Sequence, residues 1–179
     1  MIGIEKSSRY TKVMGDYGEQ VVRKWLARSG WEVSDSSDQN GLDIKASRKL
    51  ATGGYVRLGI TVKARTRWEK NKNESVYVFH PKSKRKQLLE ACEVWGLEPW
   101  IAVYVEFDDH ADLYLTSLDN YDRKYGDNKT VVDAWSITDN MRAEYTKDGK
   151  VKDVHIDFKA TNWDWDDWGG WPEPEREAA

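Results

Sequence analysis

Two neighbouring strand-like segments of this chain carry charge where a sheet interior would ordinarily be apolar. Gly41-Leu42-Asp43-Ile44 opens the first, Gly59-Ile60-Thr61-Val62-Lys63-Ala64-Arg65 ends the second, and Gly53-Gly54 supplies a turn between them. Strand side chains alternate between faces, so Thr61, Lys63 and Arg65 point one way while Ile60 and Val62 point the other. A lysine set between apolar strand residues calls for an anion opposite it, and Asp43 on the adjacent strand meets that need. A carboxylate and an ammonium side by side suit holding a divalent cation and a phosphate together.

The 179 residues suit one domain with an appendage. A net charge of −3 does not by itself announce a nucleic-acid binder. Its distribution says more, because basic residues crowd positions 45–86 while acids dominate the region after Asn162. A basic body with an acidic tail keeps a strong local field despite a near-neutral sum. The single cysteine, Cys92, excludes an internal disulfide framework and falls in a helical apolar pattern. No leading apolar segment and no run of about 20 apolar residues is present, so the expectation is a soluble, intracellular (cytoplasmic) protein without a membrane partner.

Along the chain, residues 1–14 read as a polar lead-in. Residues 15–29 read as a helix with a stripe of Val21, Val22, Trp25 and Leu26, with Glu19 at its edge and Gly30 as its stop. Strands follow at 31–33, 42–48, 55–64 and 75–79. A second helix at 82–95 presents Leu88, Cys92 and Trp95 inward, and strands follow at 100–107 and 113–116. Residues 119–130 read as a polar loop. Strands are expected at 131–138, 141–146 and 151–158, the last two joined by an Asp148-Gly149 hairpin.

With Glu19 on the first helix, Asp43 on the second strand and Lys63 on the third, the chain resembles the PD-(D/E)XK nuclease superfamily, nearest to its archaeal Holliday junction resolvase-like branch. The likeness is carried by Gly18-Glu19-Gln20-Val21-Val22, Gly30-Trp31-Glu32-Val33, Gly41-Leu42-Asp43-Ile44 and Ile60-Thr61-Val62-Lys63-Ala64-Arg65, and covers about residues 15–116. It implies an α/β, restriction-endonuclease-like core over 15–118, a mixed central sheet flanked by helices. A C-terminal β extension (119–160) and an acidic Trp-rich tail (161–179) have no counterpart in that family. The resemblance also implies a Mg²⁺-dependent DNA endonuclease, with Mn²⁺ as a substitute and branched DNA as one substrate. Glu19 and Asp43 would be the metal ligands, Glu19, Asp43, Thr61 and Lys63 the catalytic set, and a homodimer the assembly.

Position 61 departs from the pattern, which places an acid or glutamine two residues before the lysine. Three readings stay open there. Thr61 holds a metal-bound water while Asp35 or Asp38 supplies the missing charge; the carboxylate pair suffices; or the core has decayed into a non-catalytic DNA-binding or adaptor protein. Singly, Asp43 could be a turn residue, Lys63 a strand lysine whose head reaches solvent, and Glu19 a solvent-facing helix residue. Their joint order favours the functional reading.

Arg65, Arg67, Lys70 and Lys72 follow the lysine strand, and Lys82, Lys84, Arg85 and Lys86 open the second helix. Such residues track phosphate without reading sequence, and Trp68 among them could stack on an exposed base. A solvated charged face is the plainer alternative. His80, His110 and His155 lie far apart in sequence and are not expected to form a metal site. Of ten tryptophans, Trp163, Trp165, Trp168 and Trp171 alternate with acids in the tail. That segment suits docking on a protein partner, covering the basic groove as a DNA mimic, or closing over the 131–158 sheet.

Overall fold

The computed structural model describes residues 8–36, 41–67, 77–125 and 132–159. The first helix, α1 (Ser8–Arg28), starts within the expected lead-in, and Met14 from that stretch is buried with Val21, Val22 and Leu26. Gly18 lets the helix approach the sheet closely, since a Cβ there would lie 3.0 Å from Ala64 Cβ. The helix ends in a left-handed Gly30 (φ 78°), with Gly30 N–H donating to Ala27 O and Trp31 N–H to Leu26 O.

Strands β1 (Glu32–Asp35), β2 (Ile44–Lys49) and β3 (Tyr55–Thr66) form an antiparallel meander. Gly53 and Gly54 take the positive φ values that the β2–β3 turn requires, 85° and 80°. After β3 the chain leaves the sheet through β4 (Tyr77–Pro81) and α2 (Lys82–Trp95). It returns as β5 (Glu98–Glu106), which lies parallel to β3. Then β6 (His110–Ser117), α3 (Leu118–Lys124), β7 (Val132–Ser136), α4 (Asp139–Lys147) and β8 (Lys152–Asp157) complete the fold. The main sheet has the order β1-β2-β3-β5-β6-β8, and β4 pairs with β7 in a separate two-stranded sheet. This is the α/β architecture the resemblance implied, a mixed central sheet between helices. Among the described residues no helix is long and apolar enough to cross a membrane.

The sheet divides two apolar cores, as strand alternation requires. Ile60, Val62, Ala102 and Tyr104 face α1, together with Ile44, Leu58 and Leu113. Ile101, Val103, Val105 and Tyr114 face the other way, towards Leu88 and Cys92 of α2 and a cluster of Tyr121, Trp135 and Tyr145. In that cluster Trp135 stacks on Tyr121 with centroids 5.1 Å apart and lies 4.6 Å from Tyr145.

Four expectations are corrected. Residues 141–146 are helical: Tyr145 is buried, Met141 packs on the core beside it, and Ala143, Glu144 and Thr146 are exposed. Asp148-Gly149 therefore joins α4 to β8 and closes no hairpin, and Asp148 instead accepts from Tyr125, Asn120 and the Lys150 N–H. The expected loop from 119 opens with helix α3, capped where Ser117 accepts from Asn120 N–H. The region after 118 thus contributes helices as well as strands. Trp95 does not face inward: it is 57% exposed, with Lys45 Nζ 3.6 Å from its ring centroid. The acidic Trp-rich tail lies outside the described residues.

Gly59 marks the tightest contact between β3 and α2, where an added Cβ would meet Cys92 Sγ at 2.4 Å. Gly59→Ala should destabilise the protein by about 1–3 kcal/mol through overpacking. Adding Cys92→Ala should restore part of the loss, and urea unfolding of the double-mutant cycle measures that coupling.

Candidate active site

The β2–β3 ladder ends at the Ile44–Ile60 pair, and Asp43 takes over its polar role. The Asp43 N–H donates to Ile60 O at 3.0 Å. Its carboxylate Oδ2 accepts from the Val62 N–H at 2.6 Å and from the Thr61 hydroxyl at 3.1 Å. A side chain thus satisfies β3 where the partner strand has turned away. Lys63 Nζ donates to Thr61 Oγ1 and to Val62 O, each at 3.1 Å. Thr61 is 1% exposed and links the two charges, donating to the acid and accepting from the base.

Glu19 approaches from α1 and is held by Arg23 one helical turn later. Arg23 Nη2 lies 3.4 Å from Glu19 Oε2 and donates to Asp43 O at 3.1 Å. Arg23 also ion-pairs with Asp35 through its other amino group. Asp43, Thr61 and Lys63 form one hydrogen-bonded run, and Arg23 links Glu19 to the Asp43 backbone beside it. Arg23 was missed, although its position four residues after Glu19 was a visible signal. Asp35 serves Arg23, and Asp38 lies outside the described residues.

Burial pulls the Lys63 pKa below the ordinary lysine range, and Lys84 on α2 pushes it the same way, while Asp43 and Glu19 hold it up. The dominant cause is desolvation, which disfavours the charged form of any amine. A partly desolvated ammonium near two carboxylates is suited to stabilising charge on an arriving anion.

The basic residues differ in their engagement. Arg67 donates to Ile137 O at 2.9 Å, and Arg85 ion-pairs with Asp122. Lys86 lies 3.6 Å from Glu90, a largely exposed pair. Lys82 and Lys84 are exposed and Arg65 is partly buried, while Trp68, Lys70 and Lys72 lie outside the described residues. The histidines bring a correction. His80 stands apart and buried, but His110 and His155 meet around Asp112, their ligand-capable atoms within 4.8 Å of one another. Cross-strand register makes the contact, because Asp112 pairs with His155. The sequence signal was the i, i+2 spacing of His110 and Asp112 on one strand.

No family model and no curated protein matches the chain. Among solved structures it is similar to the Archaeoglobus fulgidus Holliday junction resolvase Hjc. That likeness has a TM-score of 0.49 and 14% identity, over 68% of this chain and 83% of that one. It is also similar to a restriction endonuclease in complex with substrate DNA, with a TM-score of 0.42 and 12% identity over 94% and 82% of the two chains.

The lowered Lys63 pKa gives a test of this geometry. The folded chain releases that proton at lower pH than the unfolded chain, so unfolding takes up a proton between the two pKa values. Stability should therefore rise with pH on approaching the ordinary lysine pKa of 10.5. Lys63→Met should be more stable than the parent at neutral pH and should lack that alkaline rise, as read by urea unfolding across pH.

Proposed function

We propose that the chain is a metal-dependent DNA endonuclease that hydrolyses phosphodiester bonds at the Glu19–Asp43–Lys63 site, with branched DNA the first substrate to test. The observation that carries this reading is the hydrogen-bonded run from Asp43 through Thr61 to Lys63, with Glu19 near enough to bear on the lysine's charge. A structural salt bridge would not need a hydroxyl between its partners.

The donor set suits Mg²⁺, with Mn²⁺ as a substitute. Glu19 and Asp43 offer hard carboxylate oxygens, and Mg²⁺ commonly takes one or two carboxylates together with water and substrate phosphate. When bound, Mg²⁺ would supply positive charge against the phosphate and make a nearby water more acidic. Lys63 would donate to a phosphate oxygen, where a preorganised cation in a dry site stabilises developing charge. Thr61 keeps the lysine aimed, since its lone pair accepts from Nζ. Arg23 fixes the backbone carbonyl of Asp43 and thereby the reach of the acid. The exposed Lys82 and Lys84 would carry the flanking backbone by sequence-independent contacts.

The second reading, a DNA-binding protein that does not cut, is favoured by the commitment of the Thr61 hydroxyl to both neighbours. That leaves two carboxylates where the nuclease pattern has a further acid.

Incubation of four-way junction, duplex and single-stranded DNA with Mg²⁺ separates the two. Cleavage should fall by roughly 10²–10³ in Asp43→Ala and in Lys63→Ala, the loss typical for a group serving the transition state. Retention of DNA with no cleavage by the parent chain would establish the second reading. Thr61→Glu gives an independent readout. A third buried carboxylate beside Asp43 should lower thermal stability in chelator, and Mg²⁺ should restore it by several degrees more than it shifts the parent.

A further inference from the structure

A second polar cluster lies on the same face of the sheet as Lys63. Arg65, Val105 and Asp112 are register partners across β3, β5 and β6, so Asp112 stands two strands from the lysine strand. At about 4.8 Å per strand that is roughly 10 Å, too far for a shared pair of catalytic cations.

Asp112 is 6% exposed and is contacted by the side chains of three residues, Tyr114, Arg142 and His155. Its Oδ2 accepts from Tyr114 Oη at 3.1 Å and from Arg142 Nε at 2.8 Å, with Arg142 Nη2 closer still. Its Oδ1 lies 2.6 Å from His155 Nδ1. Arg142 Nη2 also lies 3.0 Å from His110 Nε2. A guanidinium can only donate, so that nitrogen is the acceptor and His110 carries its proton on Nδ1, facing Asp109 at 2.6 Å. His155 Nε2 lies 3.1 Å from Asp157. Each imidazole therefore has a carboxylate behind one nitrogen, while its other nitrogen turns to Asp112 or Arg142. Carboxylates behind histidines in this way are what orient metal-ligating imidazoles and raise their basicity.

We propose that His110, Asp112 and His155 form a binding site for a borderline first-row cation, Zn²⁺ foremost, and that Arg142 fills the cation's place until it is displaced. Two imidazoles and one carboxylate suit Zn²⁺ and not Mg²⁺, and leave a fourth position open to water or another ligand. Bringing atoms within 4.8 Å of one another to about 2.0–2.2 Å from one ion takes side-chain adjustments only. Arg142 has somewhere to go. Its Nη1 already lies 3.4 Å from the exposed Asp139 on the first turn of α4, beside an open cleft of about 360 Å³ lined by Asp112, Asp139, Arg142 and His155. The site clamps β8 to β6 and is independent of the proposed nuclease chemistry.

Zn²⁺ titration of the full chain carrying Glu19→Ala and Asp43→Ala tests this without interference from the other carboxylates. One Zn²⁺ should bind per chain, followed by calorimetry, and Co²⁺ should give the visible absorption of a four-coordinate site. His155→Ala and His110→Ala should each weaken binding at least tenfold. Arg142→Gln should tighten it, and Zn²⁺ at about a hundredfold over Kd should raise the melting temperature by roughly 5–10 °C. His155 is exposed enough for its loss to leave the fold intact, which circular dichroism checks. Failure of both the parent background and Arg142→Gln to bind Zn²⁺, or affinity unchanged by loss of His155, would overturn the proposal. Neither outcome bears on DNA cleavage.

Discussion

The parallel pairing of β3 with β5 is the constraint from which the rest of the structure follows. Parallel neighbours cannot be joined by a tight turn, so the chain must leave the sheet between them, and it does so through β4 and α2. That crossover covers one face while α1 covers the other. A strand buried on both faces offers no solvent-facing side for a charge. Lys63 is nevertheless there, and three devices make it tolerable. Its Nζ has two oxygen partners, two carboxylates bear on it, and the ladder on its β2 side has already ended.

Asp43 is the complement of that arrangement. Where β2 stops pairing, an unsatisfied N–H on β3 would be costly. The Asp43 carboxylate takes the Val62 N–H at 2.6 Å and so serves the backbone and the site with one group. Structural need and chemistry thus share a cause: a carboxylate caps β3 where two strands part next to a parallel pair, close to Lys63.

Much of this was legible because it was local. The stripe on α1, the paired glycines between β2 and β3, and the alternation of Ile60, Thr61, Val62 and Lys63 each read their structure from a few adjacent residues. Asp43 and Lys63 could be set side by side from strand order, and Glu19 was joined to them by the family resemblance. What failed depended on distant context. Met141–Thr146 lacks a decisive period, and its state is set by Tyr145 reaching Ser136 O and the ring of Trp135, which no local pattern announces. Trp95 looked inward by helical spacing, but Leu88, Ala91 and Cys92 fill the face that β3 presents, and Trp95 emerges beyond it. The His110–Asp112–His155 group required the register of β6 with β8, which sequence distance concealed.

Both polar clusters follow one electrostatic rule. Gathered carboxylates repel one another unless a cation lies among them. At the first site Arg23 spans Glu19 and the Asp43 backbone, and at the second Arg142 spans Asp112 and His110. The two differ in how firmly the arginine is held. Arg142 donates from Nε to the buried Asp112 at 2.8 Å and lies over the Phe107 ring at 4.2 Å. Arg23 touches Glu19 only at 3.4 Å, and its closer partners are a carbonyl and the exposed Asp35.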